Sequence, residues 1–252
     1  MKNTEKFRGM GGVYARYRPS YPNEFVDYAV AFAGLGEGCA VADVGSGTGK
    51  LTRLLLERGL TVYAVEPNAD MRAEAEKNLH AYERFISVSG AAENTTLENE
   101  SIDCVTAAQA FHWFDGKLFK AECKRILKPS GKVVLVWNRR DDASALVSEN
   151  DALNAKHCPN FKGFAGGMRG PEKDGEFDGF FEGKYEAKIF RYDIDFDEEG
   201  FVGRNLSSSY APKESDAGYA AYVSEMKSLF AKYENDGRVT MSNEVCAFAG
   251  KV

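Results

Sequence analysis

Val-Ala-Asp-Val-Gly-Ser-Gly-Thr-Gly-Lys, residues 41–50, together with Val-Glu-Pro at 65–67, decides how this chain is read. The first run is an apolar strand that breaks into glycines and opens a helix. The second is another strand, ending in a carboxylate. Glycines let backbone approach a ligand closely, and a strand-end acid accepts hydrogen bonds from ribose hydroxyls. The pair points to a cradle for a nucleoside.

Three kinds of glycine loop compete for this segment. A P-loop needs a Gly where Val44 stands and a hydroxyl where Leu51 stands, so that reading fails twice. A dinucleotide loop, G-x-G-x-x-G, needs its third Gly at Lys50, which disfavours a nicotinamide or flavin cofactor. What remains is Asp43-x-Gly45-x-Gly47-x-Gly49.

Outward from the loop, strands and helices alternate between residues 39 and 138, the pattern of a parallel sheet with crossover helices. Strands are expected at Cys39–Val44, Thr61–Glu66, Phe85–Val88, Ile102–Ala107 and Lys132–Trp137. Helices are expected at Thr48–Arg58, at Ala69–Asn78 with Asn68 as its cap, and at Asp115–Leu127. Pro129-Ser130-Gly131 reads as the turn into the fifth strand. Farther on, residues 141–157 suggest a helix through Leu146 and Leu153, and the stripe from Tyr219 to Tyr233 suggests another. Alternation in Ala187–Phe196 and Val239–Val252 suggests a sixth strand and an antiparallel seventh inserted beside the fifth. The glycine- and aromatic-rich stretch 161–185 reads equally as a surface connection or as a cover over a substrate.

The expected fold is therefore α/β: a Rossmann-like, seven-stranded, mostly parallel sheet with an antiparallel seventh strand and helices on both faces. The expected organisation is a single domain over 1–252. Within it, 1–36 would form N-terminal lid helices, 37–140 the cofactor-binding core, 141–185 a cover, and 186–252 C-terminal strands and helices.

Composition narrows the function classes. The chain has 252 residues, 44% hydrophobic and 28% charged, with net charge −6. That balance argues against a broad nucleic-acid surface, which needs clustered Lys and Arg. The five cysteines have no C-x-x-C spacing, so neither a disulfide framework nor a zinc site is expected. No apolar run approaches a membrane span, and residues 1–12 lack the apolar core of a secretory signal. A cytoplasmic protein without membrane or metal is expected; oligomeric state is left open.

At this point the chain resembles the class I S-adenosylmethionine-dependent methyltransferases, of the small-molecule type near the trans-aconitate and quinone-pathway enzymes. The likeness rests on the glycine loop, on Val65-Glu66-Pro67-Asn68 with Met71, and on Gly90-Ala91-Ala92-Glu93. Gln109-Ala110-Phe111-His112-Trp113-Phe114-Asp115 and Arg125-Ile126-Leu127-Lys128-Pro129-x-Gly131 extend it, as does Tyr17-Arg18-Pro19-x-Tyr21-Pro22. It covers Tyr14–Arg140 well and the C-terminal third more loosely.

The resemblance implies S-adenosyl-L-methionine as cofactor and a small-molecule methyl acceptor, a carboxylate or hydroxyl metabolite. Gly45, Ser46, Gly47 and Gly49 would bring backbone against its methionine part, with Asp43 facing its ammonium through water. Glu66, held by the Pro67 turn, would take both ribose hydroxyls. Met71 would pack on adenine and the Ala92 N–H would meet a ring nitrogen, with Glu93 beside it. Many relatives carry Asp where this chain has Ala91, which removes one partner of the exocyclic amine.

Gln109, Ala110 and Trp113 would lie beside the sulfonium, where aromatic faces suit a cation. His112 is the candidate catalytic residue, a general base; a hydrogen-bonded structural histidine is the other reading. Tyr14 and Arg18 would close over the cofactor. Tyr21, His112, Trp113, Arg139 and Tyr210 are the candidates for holding the acceptor, with Arg18 and Arg140 as further cations for an anionic one. The absence of an Asn-Pro-Pro-aromatic segment after the fourth strand argues against amino-group methylation of DNA or glutamine. Two rivals stand: a protein that binds the nucleoside without transferring from it, and a nicotinamide-dependent oxidoreductase.

Overall fold

The computed structural model describes residues 20–141, 143–163, 177, 179–183, 185–208 and 210–252. Tyr14, Tyr17 and Arg18, expected over the cofactor, lie outside the described residues, as do Phe164 and Ser209.

Nine strands form two sheets among the described residues. In the first half of the chain these are β1 (Ala40–Val44), β2 (Thr61–Val65), β3 (Phe85–Val88), β4 (Ile102–Ala108) and β5 (Leu127–Arg140). The second half adds β6 (Glu186–Arg191), β7 (Ile194–Phe196), β8 (Val239–Met241) and β9 (Asn243–Gly250). The large sheet runs β3-β2-β1-β4-β5-β9-β6. Its first five strands are mutually parallel, and β9 is antiparallel to both β5 and β6. Strand order reverses between β1 and β4, so their carboxyl ends open a crevice at the point where an α/β sheet binds ligands.

Helices α1 (Asn23–Ala33), α2 (Lys50–Leu56), α3 (Ala69–Leu79) and α4 (Gly116–Ile126) belong to the parallel half. Asn68 caps α3 by accepting the N–H groups of Asp70 and Met71, and Asp115 caps α4 in the same way. One sheet face is covered by Phe25 and Val26 of α1 with Leu51 and Leu55 of α2. Phe119, Cys123 and Ile126 of α4 cover the other, as their helical spacing predicts.

Several elements depart from the sequence reading. Strand β5 begins at Leu127, directly after α4, because the Pro129–Gly131 stretch is absorbed into the strand as a register shift: Leu127 pairs with Ile102 and Lys132 with Cys104. The alternating run Ala187–Phe196 is two strands, since β6 joins the large sheet while β7 pairs with β8 in a separate two-stranded sheet. Val239–Val252 divides between the same two sheets. Period-two alternation marks extended chain, and it does not say which sheet that chain joins. Helix α6 (Glu198–Leu206) falls between the expected elements; the Asp197 carboxylate starts it by accepting the Gly200 N–H at 2.7 Å.

With α5 (Ala145–His157) and α7 (Tyr219–Tyr233), α6 and the small sheet enclose a third core built on Phe201, Tyr222, Met226 and Phe230. Phe177, Phe180 and Phe181, expected on a surface connection or a cover, are buried in the core between α4 and the sheet, Phe177 against Trp137 and Phe248 of the sheet and Phe180 against Phe119 of α4.

Candidate functional site

The glycine loop closes on itself before it meets any ligand. The N–H groups of Gly45 and Ser46 both donate to the Val65 carbonyl, at 2.8 and 3.2 Å, which ties the loop to the end of β2. Gly45, Gly47 and Gly49 all have positive φ, at 70°, 57° and 81°, a region costly for residues with a Cβ. Two of them are also crowded. A Cβ on Gly45 would stand 2.6 Å from the Ala110 Cβ, and one on Gly49 would stand 2.6 Å from Leu79 Cδ1 of α3. At Gly47 nothing lies within 4 Å, so its backbone borders open space.

Glu66 faces that space from the end of β2. Its Oε2 accepts the Gly47 N–H at 2.9 Å and its Oε1 accepts the Asn68 N–H at 2.8 Å. The residue is 8% exposed. Burial raises its pKa; the two N–H donors and nearby Arg72 act in the opposite direction without overcoming it. A carboxylate offers about four lone-pair positions. Two remain for hydroxyl donors from a ligand.

A cleft of ≈ 880 Å³, its open mouth included, lies here. Of the sequence-predicted cofactor residues, Gly45, Gly47, Glu66, Pro67, Met71, Ala92, Glu93, Gln109, Ala110 and Trp113 line it. Asn68, Ala91, Ala108 and Phe114 line it too. Asn68 is expected as a helix cap and as the last residue of the Val65–Asn68 motif, and Phe114 as one member of an aromatic segment; neither is among the expected cofactor residues. Glu93 Oε1 accepts the Asp115 N–H at 2.9 Å, joining the Gly90–Glu93 turn to the start of α4. Gln109 adopts φ 55° although it has a side chain, a strained conformation on the cleft wall just past the end of β4.

Other expected residues lie elsewhere. Asp43 is 1% exposed and sits beneath the loop rather than on the cleft wall. It accepts the hydroxyls of Thr52 at 2.6 Å and Thr106 at 2.9 Å, bracing β1 against α2 and β4. Burial pushes its pKa up to about 6 despite those bonds. Gly49 starts α2, and Ser46 keeps its hydroxyl buried; neither lines the cleft. Tyr21 packs on Phe25 in the core under α1, with ring centroids 5.7 Å apart.

Arg139 directs its guanidinium to Glu244, its register partner on β9, with Nε 3.1 Å from Oε2. Arg140 is buried, and its Nη1 donates to Asn150 Oδ1 of α5. Tyr210 stacks edge-on against Phe161 at 4.8 Å, in the third core. His112 stands in the short 3-10 turn Phe111–Trp113, of which Trp113 lines the cleft while His112 and Phe111 do not. Its Nδ1 accepts the Trp137 indole N–H at 3.4 Å, and its ring lies 4.8 Å from that of Trp113. The residue's outer edge is exposed, yet desolvation of the inner side pushes its pKa down to about 4.

This constellation has relatives. Residues 42–135, the glycine loop through β5, match the methyltransferase domain family. Over that stretch the chain is similar to methyltransferase domains. An uncharacterized methyltransferase of Mycobacterium tuberculosis is 41% identical over 138 residues, 55% of this chain and 54% of the relative. Another, from Schizosaccharomyces pombe, is 31% identical over 144 residues, 57% of this chain and 56% of the relative. The chain thus matches little more than half the length of these curated relatives.

Among solved structures, a protein from Anaeromyxobacter dehalogenans described as a candidate type II methyltransferase superposes with a TM-score of 0.72. Its identity is 23%, and the match covers 93% of this chain and 98% of that one. A phosphoethanolamine N-methyltransferase of Haemonchus contortus, solved with S-adenosyl-L-methionine, gives a TM-score of 0.54 at 19% identity. That match covers 99% of this chain and 57% of the other. At these identities the two structures report the shared fold.

Proposed function

We propose that the chain transfers a methyl group from S-adenosylmethionine to a small-molecule acceptor, a carboxylate or hydroxyl metabolite. The observation that carries this reading is the Glu66 carboxylate, bonded to the Gly47 N–H and bordering an open cleft at the switch point of the sheet. The residues present fit the cofactor. Glu66 has acceptor capacity left for ribose hydroxyls, Met71 and Ala92 offer apolar surface for adenine, and the Gly45–Gly47 backbone leaves room for the methionine part.

When bound, the sulfonium supplies an activated methyl group open to in-line displacement. The protein's own task is alignment and exclusion of water. Trp113 and Phe114 present ring surface to the region past Ala110, suited to a cation and to an apolar acceptor face. The rival nicotinamide reading is disfavoured by Lys50 at the third glycine position.

The test is a titration of purified protein with S-adenosylmethionine and with a nicotinamide dinucleotide, followed by release of S-adenosylhomocysteine across a panel of small carboxylates, alcohols and amines. Heat of binding with the first compound alone, and product release with at least one acceptor, is the expected result. Saturable binding of the nicotinamide compound alone would sink the reading.

A further inference from the structure

We propose that Glu122 and Arg125 of α4 are positioning residues for the cleft, holding its Ala91–Glu93 wall in binding shape by restraining a strained loop behind it. The ligand is taken from the methyl-transfer reading, on which the inference rests. It gives the Arg125–Gly131 motif a task that the lining of the cleft does not.

Ala91, Ala92 and Glu93 line the cleft. The chain leaves them through a tight turn in which Ala91 and Asn94 exchange both backbone hydrogen bonds at 3.1 Å. Thr95, next along, is fully buried. Thr96 follows with φ 64°. Left-handed backbone is costly for a residue with a Cβ and most of all for a β-branched one. Thr96 is exposed, so burial of its side chain does not offset that cost. Such a conformation persists where the surrounding structure fixes the residues on either side of it.

Both sides are fixed by one helix. Before Thr96, Glu122 Oε1 accepts the Thr95 N–H at 2.7 Å and the Thr95 hydroxyl at 2.5 Å. After it, Arg125 Nη1 donates to the Leu97 carbonyl and to Asn99 Oδ1, each at 2.7 Å. The two side chains also hold each other. Arg125 Nε donates to Glu122 Oε2 at 2.8 Å and its Nη2 donates to Oε1 at 2.7 Å, the two-point pairing of guanidinium with carboxylate. Their i, i+3 spacing sets both on one side of α4, while Phe119, Cys123 and Ile126 tie the helix to the sheet. Glu122 is buried, which strengthens bonds made there. The helix meets the wall once more where its cap residue, Asp115, donates its N–H to Glu93.

The loop transmits any movement to the wall. A Cβ on Gly90 would stand 2.7 Å from the Thr95 carbonyl oxygen and 3.0 Å from Val65 Cγ1, so Thr95 lies against the backbone that leads into Ala91. Without Glu122, Thr96 relaxes toward negative φ, Thr95 turns with it, and the Gly90–Glu93 segment is carried along. Neither Glu122 nor Arg125 lines the cleft, so their effect on a ligand passes through this loop.

The test sets affinity against stability. In calorimetry E122A should bind S-adenosylmethionine about tenfold more weakly than wild type. E122Q, whose carbonyl still accepts from Thr95, should lose less than about threefold. N150A, destabilised away from the cleft, controls for a purely structural effect and should keep its affinity within about threefold. Adding T96G to E122A should recover about threefold, because glycine takes positive φ freely. In the absence of ligand, the Ala91 and Asn94 amides should exchange with deuterium about tenfold faster in E122A than in wild type, and at the wild-type rate in N150A.

An E122A affinity within about threefold of wild type overturns the proposal. So does E122Q failing as badly as E122A, N150A losing as much affinity as E122A, T96G restoring none, or wild-type exchange of Ala91 and Asn94 in E122A. If E122A does not fold, T95V is read in its place. It removes only the hydroxyl half of the anchor, should cost about threefold in affinity, and faces the same amide test. If wild-type protein ignores S-adenosylmethionine, the functional reading falls, while amide exchange still judges the hold of α4 on the wall.

Discussion

The Glu66 carboxylate accepts the Gly47 N–H at 2.9 Å, so the acid that ends β2 and the glycine turn that follows β1 are a single hydrogen-bonded unit. Removing the carboxylate takes away ribose acceptors and loosens the turn together. Glu66→Ala should weaken S-adenosylmethionine binding by more than about tenfold in calorimetry, the scale of one charge-assisted hydrogen bond. Glu66→Gln keeps one carbonyl acceptor but replaces the other oxygen with an amide that opposes the backbone donor. It should fall between the two.

Gly45 and Gly47 separate stability from binding. Alanine at either must adopt positive φ, at a cost of roughly 1–2 kcal/mol. At Gly45 the added methyl also meets Ala110 Cβ at 2.6 Å, whereas at Gly47 it meets nothing. Gly45→Ala should therefore lower the urea midpoint more than Gly47→Ala. Gly47→Ala, whose methyl enters the cleft, should lose more ligand affinity than its modest loss of stability accounts for.

Asp43 makes stability depend on pH in a direction unusual for a carboxylate. Its folded-state pKa is about 6, raised from 3.8, so the folded protein holds this proton more tightly than the unfolded chain does. Stability from this group is full below about pH 4 and is lost as pH rises through about 6. Asp43→Asn removes the titration while keeping partners for Thr52 and Thr106. Relative to that variant, the wild type should lose up to about 3 kcal/mol of unfolding free energy between pH 4 and pH 7, read from urea midpoints.

What was legible in the sequence was what is local. Gly45, Gly47 and Glu66 act through turns and strand ends, so their spacing alone carried them to the cleft wall. The partners of Asp43 were illegible for the opposite reason. It faces Thr52 and Thr106, and Thr106 lies 63 residues away on a neighbouring strand that only the sheet brings into reach. Arg139 read as a free cation because Glu244, 105 residues on, becomes its partner only through the β5–β9 register. The C-terminal alternation showed that residues were half-buried, but not in which of two sheets. His112 likewise meets a partner the sequence did not show: the Trp137 indole N–H donates to its Nδ1 at 3.4 Å, and in sequence Trp137 is only another apolar strand residue.

The buried amide network beside the third core gives a prediction independent of the cleft. Asn150, fully buried on α5, accepts from Arg140 Nη1 and donates to Asn205 Oδ1 at 3.1 Å. Nearby, the Tyr222 hydroxyl donates to Asn154 Oδ1 at 2.7 Å. Asn150→Ala deletes the acceptor for a buried guanidinium and the donor to a buried amide at once. Each loss costs about 1–3 kcal/mol when the group left behind is out of water, and more when it is charged. The variant should lose at least roughly 2 kcal/mol in urea unfolding. None of these side chains lines the cleft, so S-adenosylmethionine affinity should change by less than about threefold, under 1 kcal/mol. A variant with intact stability would mean that the amides are hydrated and the α5–α7 core is looser than its packing indicates.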